Sequence, residues 1–330
     1  FWRRILGLFF AATKNTALAI SFSDGLKLLK NHISRRDYRY RLPWFLMLGE
    51  SGSGKTDALR NSGLNLPAGD PITRTRMGNK SCLWWLFDHG VILDVSGEVF
   101  LEKEIKTSKF RDLISLLLWH RPKKPIDGII LSIPATDFVG IEKLSPEKLI
   151  EKYREINTRL RYLQNKLGMI VPVYVIVTKL DHVRGFKQFW NLVPTHRQKE
   201  IFGWSNPNSP TSRFSNEWTA DAFQKINNSL SKLQLELALS VDGNSADCAD
   251  LFFFPREFAK IEESLSLCVS QIFHMGSSYV NFVLRGVYFS GLASSAEFEF
   301  VDSLQSSNIC LLYTSPSPRD ATLSRMPSSA

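Results

Sequence analysis

The most constraining stretch in this chain is Gly49-Glu50-Ser51-Gly52-Ser53-Gly54-Lys55-Thr56, set directly after the apolar run 43–48. It fits G-x-x-x-x-G-K-[ST], a pattern that binds phosphate when a strand leads in and a helix leads out. Both are read here, the helical stretch running from Asp57 to Ser62. Gly49, Gly52 and Gly54 can turn successive N–H groups inward to form an anion-binding nest. The helix start adds its positive end. Lys55 is spaced to reach β- and γ-phosphates, and the Thr56 hydroxyl to sit on Mg²⁺.

Two further turns fall in an informative order. Residues 82–87 and 91–93 read as strands paired around Asp88-His89-Gly90, and the second runs into Asp94-Val95-Ser96-Gly97. An Asp closing such a strand can reach Mg²⁺ through water, and Gly97 can offer its N–H to a γ-phosphate. Residues 171–177 form another buried strand, followed by Thr178-Lys179-Leu180-Asp181. The Asp181 carboxylate can accept two hydrogen bonds from a guanine edge, which adenine cannot donate, while the Lys179 stem packs on the purine. A site built around such bonds rejects the wrong base by leaving a buried carboxylate unpaired.

The remaining chain alternates strand and helix. Residues 110–120 read as a helix ended by Arg121-Pro122, and 128–133 as a buried strand. Ser145 caps a helix with Pro146 at its first position and Gly168 at its stop. Leu149, Tyr153, Ile156, Leu160, Leu163 and Leu167 form its core stripe. A short amphipathic helix is expected over 23–32, another through Phe223 to Leu237, a loop over 204–214, a last sheet strand over 251–255 and a closing helix over 257–273. This order predicts an α/β fold with a mostly parallel sheet of the P-loop NTPase (GTPase-like) type, helices on both faces and helical extensions. Ligand then lies at the carboxyl ends of the strands, where all three motifs sit.

Charge is uneven. Nine Lys/Arg face Asp24 and Asp37 in residues 1–41, a balance of +7 out of +9 for the whole chain. No RNA- or DNA-binding motif accompanies them, so nucleic acid is not expected as a partner. A basic segment beside an anionic membrane surface explains them better. The apolar stretch 5–20 reads as an interfacial helix or as the exit from a membrane helix. Four widely spaced cysteines fit a reducing compartment and argue against structural zinc or a disulfide framework. No apolar run reaches bilayer length. The chain starts at Phe1 and reads as a fragment, and residues 310–330 read as disordered and resemble a translated adapter or vector tail.

With these residues in hand the chain resembles the cytoplasmic domain of the TssM/IcmF family of bacterial type VI secretion. The matching blocks are PWFLMLGESGSGKTDALRNSGLNLP (43–67), CLWWLFDHGVILDVSG (82–97) and RPKKPIDGIILSIPATD (121–137). Further blocks cover 160–189, 251–258 and 284–289. The resemblance implies a segment on the cytoplasmic side of the bacterial inner membrane, in a complex with TssL-like, TssJ-like and baseplate components. It implies that Gly49, Glu50, Ser51, Gly52, Ser53, Gly54, Lys55 and Thr56 hold the phosphates of GTP or ATP, with Gly97 beside them. Thr56 and Asp94 would serve Mg²⁺, and Thr178, Lys179 and Asp181 the base. Val95 departs from the family's Thr, and Glu98 stands where many GTPases place a water-orienting Gln. Arg74 and Arg76 are candidates to offset that carboxylate, and Thr73 or Thr75 candidate metal-side ligands, all by position. The expected organisation is a basic juxtamembrane helix (1–42), a GTPase-like domain (43–275), an extension (276–309) and the tail. The expected function is a slow NTPase switch, or alternatively a scaffold with a non-hydrolysed or vestigial nucleotide site.

Overall fold

Short β-branched and aromatic runs become strands, and longer apolar stripes at three- and four-residue spacing become the helices that cover them. In the computed structural model, the described residues are 17–33, 36–74, 81–102, 109–209, 212, 214–240, 252–273 and 282–292. The elements in chain order are α1 (Ala17–His32), α2 (Tyr38–Arg41), β1 (Trp44–Leu48), α3 (Lys55–Arg60), α4 (Pro71–Arg74), β2 (Cys82–Phe87) and β3 (Gly90–Val95). There follow α5 (Gly97–Phe100), α6 (Lys109–His120), β4 (Gly128–Pro134), α7 (Pro146–Leu167), β5 (Pro172–Thr178), α8 (Phe186–Leu192) and β6 (Gly203–Ser205). The chain closes with α9 (Glu217–Ser240), α10 (Phe253–Ala259), α11 (Ile261–Phe273) and β7 (Val283–Phe289).

The fold is α/β. Its seven strands form one sheet in the order β2-β3-β1-β4-β5-β7-β6. The central run β3-β1-β4-β5-β7 is parallel throughout, and only the two edge pairs, β2–β3 and β7–β6, are antiparallel. Alternation along the strands separates two apolar layers. Trp44, Leu46, Leu48 and Trp84 join the larger core, with the buried faces of α1, α6, α7 and α11. Met47 and Trp85 join a smaller one with Leu59 of α3 and Ile72 of α4. Adjacent Trp84 and Trp85 therefore serve opposite faces of the sheet.

Local signals explain the helix limits. The Ser145 side chain accepts the Lys148 N–H, Pro146 occupies the first turn and Gly168 ends α7. All six residues of the stripe are buried. Arg121 closes α6 and lies between Tyr40 and Trp44, its guanidinium 5.0 and 4.7 Å from their ring centres. It also donates to Asp127 Oδ2 at 3.1 Å, and that oxygen accepts the Trp44 N–H at 2.7 Å. The R-P-x-x-P-x-x-G block thus clamps the start of β1.

Two expectations need correction. The run 251–255 is not the last sheet strand. Residues from Phe253 onward form α10, which buries Phe254 and Phe258 one helical turn apart. Pro255 fits because a helix's first N–H groups have no intrahelical partner. The expected closing helix breaks at Lys260 into α10 and α11. The last strand is β7, hydrogen-bonded between β5 and β6. The sheet thereby takes in residues beyond 275 that the sequence reading set aside as an extension. Residues 1–16 and the tail lie outside the described residues. Among the described residues no helix is long and apolar enough to cross a membrane.

Candidate functional site

The carboxyl ends of β1, β3, β4, β5 and β7 meet the start of α3. Gly52 and Gly54 have φ of 74° and 76°, a left-handed conformation that suits glycine, and Gly54 caps α3. Lys55 is buried, and its Nζ donates to the carbonyls of Gly49 (3.0 Å) and Glu50 (2.6 Å) and to Ser53 Oγ (3.3 Å). Burial lowers its pKa, and the Asp94 and Glu50 charges pull it back up. The ammonium is therefore held inside the loop, where an arriving anion would relieve its desolvation.

Thr56 Oγ1 donates to Asp94 Oδ2 at 2.7 Å, bringing the two candidate metal residues together. Burial raises the Asp94 carboxyl, against the Thr56 hydrogen bond and the Lys55 charge. Among the described residues no cluster of three His, Cys, Asp or Glu side chains could hold an ion. A cation here would depend on phosphate oxygens and water for most of its ligands, as Mg²⁺ commonly does.

Ser53 is tied to the sheet. Thr178 Oγ1 donates to the Ser53 carbonyl at 2.5 Å, and Ser132 Oγ donates to the same oxygen at 3.1 Å. Thr178, expected at the base, thus turns its hydroxyl onto the phosphate loop. Lys179 is the one non-glycine with positive φ (60°) among the described residues, a strained conformation that persists where surroundings fix it. Its stem runs beside Gly54, where an added Cβ would lie 3.5 Å from Lys179 Cγ. Asp181 Oδ1 accepts the Leu292 N–H at 3.2 Å. Between them is a cavity of about 170 Å³, lined by Gly54, Asp57, Lys179, Asp181 and the segment Ser290–Leu292. That is smaller than the roughly 300 Å³ at which ligand clefts usually begin, and suits one planar ring system.

Gly97 lies flat against the phosphate loop. A Cβ on it would fall 2.0 Å from the Ser51 nitrogen and 2.4 Å from the Glu50 carbonyl carbon. Glu98 is exposed on α5, whose cap Ser96 accepts the Val99 N–H at 3.3 Å. Val95 is fully buried and brings no hydroxyl to the site. Arg74 ends α4, but the side chains of Thr73 and Arg74, and all of Thr75 and Arg76, lie outside the described residues.

Sequence reasoning missed two groups. Ser290–Leu292 reach the cavity only because β7 is in the sheet: the Ser290 carbonyl accepts the Leu180 N–H and its own N–H donates to Val177. The short apolar pairs Val283-Leu284 and Val287-Tyr288-Phe289 were the available signal, split by Arg285 and Gly286. The second group braces Glu50. Lys152 Nζ on α7 lies 2.7 Å from Glu50 Oε1 and 2.7 Å from Asp137 Oδ2, which also accepts the Tyr153 hydroxyl at 2.5 Å. Burial, then the Asp137 charge, raises the Tyr153 pKa well above the phenol range, keeping it a donor.

Comparison with known proteins supplies a family. The model of the IcmF-related N-terminal domain matches residues 103–329. A curated relative, the type VI secretion system component TssM1 of Pseudomonas aeruginosa, is 29% identical over 280 residues, 80% of this chain. The chain spans about a quarter (24%) of that relative's length. Among solved structures, a variant of SsGBP is 22% identical over 49% of this chain and 46% of its own, with a TM-score of 0.26. The ADP-ribosylation-factor-like small COPII coat GTPase of Encephalitozoon cuniculi, solved with GDP, is 12% identical over 81% of this chain and 94% of its own, with a TM-score of 0.29.

Proposed function

This chain belongs to the IcmF-related family of type VI secretion proteins, and from that premise we propose that it is a nucleotide-binding domain that takes Mg²⁺ with GTP or ATP. The observation that supports this most is the gathering of three distant turns at the carboxyl ends of the strands. Lys55 and Thr56, Asp94, and Lys179 with Asp181 lie around a single loop and its adjoining cavity. When bound, the nucleotide would bring phosphate charge to Lys55 and the oxygens that complete a cation site. The protein's own groups would hold the loop (Thr178, Ser132), receive phosphate (the loop N–H groups, Lys55) and read a base edge (Asp181). We place the domain's end after Leu292, the last described residue lining the cavity. In this reading the domain works on the cytoplasmic side of the bacterial inner membrane with TssL-like, TssJ-like and baseplate partners. Its basic N-terminal segment (1–42) works near an anionic membrane surface.

The test is thermal unfolding with Mg²⁺ and GTP, ATP or neither. At 100 times its dissociation constant a nucleotide adds about 2.7 kcal/mol. Lys55→Ala should remove that gain. No shift with either nucleotide in wild type, or an equal shift in the variant, would overturn the reading.

A second reading, a scaffold whose nucleotide is not hydrolysed, is favoured by Gly97, Val95 and Glu98. Gly97 closes on the loop, Val95 lacks a hydroxyl, and Glu98 would repel a γ-phosphate. Mg²⁺-dependent hydrolysis lost in Lys55→Ala would select the switch. Nucleotide binding without turnover would select the scaffold.

A further inference from the structure

Helix α1 packs on β2, the edge strand of the sheet, and α6 lies beside it. Between α1, α2 and α6 opens a cleft of about 350 Å³. Lys27, Lys30 and Arg39 line it with the hydroxyls of Ser23 and Tyr38, over an apolar floor that includes Leu26 and Leu116. No carboxylate is among its lining residues.

The cations are prepared for an anion. Arg39 Nη1 donates to the His120 carbonyl at 3.2 Å and Nε to the Tyr38 hydroxyl at 3.2 Å. These neutral acceptors fix the guanidinium without cancelling its charge. Lys27 meets Asp24 at 3.4 Å, but both side chains are about 70% exposed (72% and 66%), so the pair holds little. Among the described residues Lys30 meets no carboxylate. His120 reports the local field: burial and the Arg39 charge lower its pKa to about 4, leaving it neutral at pH 7.

We propose that this cleft binds the phosphate-bearing headgroup of an anionic phospholipid, with Arg39, Lys30 and Lys27 meeting the phosphate and the Leu26–Leu116 floor taking the adjoining apolar part. A free phosphate shares the polar chemistry but has no use for that floor. The sequence just before α1 also favours a lipid surface, because residues 1–12 combine Arg3 and Arg4 with Trp2, Ile5, Leu6, Leu8, Phe9 and Phe10. The inference deepens the membrane-facing part of the proposed function and is independent of nucleotide.

The experiment is co-sedimentation of the 330-residue chain with phosphatidylcholine vesicles, with and without phosphatidylglycerol, at fixed ionic strength. Lys30→Gln/Arg39→Gln is compared with Lys225→Gln/Lys232→Gln on α9, which packs by β6 at the opposite sheet edge. Each basic side chain near an anionic surface is worth a factor of about five. The cleft pair should therefore lose roughly twenty-fold in binding to phosphatidylglycerol vesicles, and the α9 pair less than about threefold. Lys30→Glu alone, at an exposed helical position, should lose at least about tenfold with an unchanged melt, which separates the effect from misfolding. Equal losses in the two pairs would overturn the cleft. Indifference of wild type to phosphatidylglycerol would overturn the membrane-facing reading as well. Binding of glycerol phosphate without vesicle binding would overturn the lipid assignment. Vesicle binding of wild type should be the same with and without Mg²⁺ and nucleotide, which keeps this outcome distinct from that of the nucleotide reading.

Discussion

Replacing Lys152 with Met removes the ammonium that lies between Glu50 of the phosphate loop and Asp137, three residues beyond β4. The ammonium is 2.7 Å from Glu50 Oε1 and 2.9 and 2.7 Å from the Asp137 oxygens. The three side chains are 19%, 31% and 8% exposed, so solvent screens the cluster only in part. Each carboxylate has an oxygen 2.7 Å from the Lys152 Nζ, so without it the two charges, no more than about 5 Å apart, repel by about 3 kcal/mol at an effective dielectric constant near 20. Breaking a buried pair from one side typically costs about 3 to 5 kcal/mol. Allowing for the exposure of Glu50, Lys152→Met should lose about 2 to 3 kcal/mol at pH 7. Glu50→Gln should lose under about 1 kcal/mol, because Lys152 keeps Asp137. The double variant should be more stable than the sum of the singles by about 1 to 2 kcal/mol. Urea denaturation of the four proteins measures all three quantities. A Lys152→Met protein within about 0.5 kcal/mol of wild type, or strict additivity, would refute the claim that this lysine braces the loop.

Two further outcomes are expected. Gly97→Ala should destabilise by about 1 to 3 kcal/mol in thermal melts, because its Cβ would meet backbone atoms of Ser51 and Glu50 that cannot rotate away; an unchanged melting temperature would mean that α5 does not rest on the loop. His120 is held to about 4 by burial and by Arg39, against 6.5 when unfolded, so its contribution is intact above pH 6.5 and is lost as the pH falls towards 4. The shift corresponds to about 3 kcal/mol at full weight and about 1 to 2 kcal/mol once the partial exposure of the ring is discounted. His120→Gln should flatten the fall in melting temperature between pH 7 and 4.5, and an identical slope would exclude His120 as its source.

What could be read from the chain alone was whatever its chemistry keeps local. The phosphate loop, the strand that carries Asp94 near its end and the caps of α7 each consist of residues within a few positions of one another, so spacing displayed them. The run 251–255 failed because a short aromatic stretch suits a strand or a buried helix equally; only tertiary packing of Phe254 against Phe186, Phe189 and Phe258 decides it. β7 escaped because Arg285 and Gly286 interrupt its apolar pattern, and its loss hid Ser290–Leu292. The brace on Glu50 had no local signature at all. Lys152 and Glu50 are 102 residues apart. An exposed face of an amphipathic helix is full of lysines, and nothing in α7 distinguishes this one.

In the proposed reading, contacts between the motifs would decide between switch and scaffold more than each motif alone. A ligand shifts a conformational equilibrium only through its different affinity for the two states. The loop, Asp94 and the Thr178–Asp181 turn would bind phosphate, cation and base in either case, so they would not supply the difference. The close contact of Gly97 with Ser51 would. If Gly97 meets a γ-phosphate, as the sequence reading expects, a triphosphate must part α5 from the loop while a diphosphate can leave the contact closed. Moving such an equilibrium from 1:99 to 99:1 needs about a ten-thousandfold preference. The opposing term includes the packing at Gly97 and the Lys152 brace, which holds Glu50 where α5 rests. A strong brace makes the closed loop the default and demands more of the γ-phosphate. In the proposed reading Lys152, which braces the loop, would therefore also set how much nucleotide binding must do before anything moves.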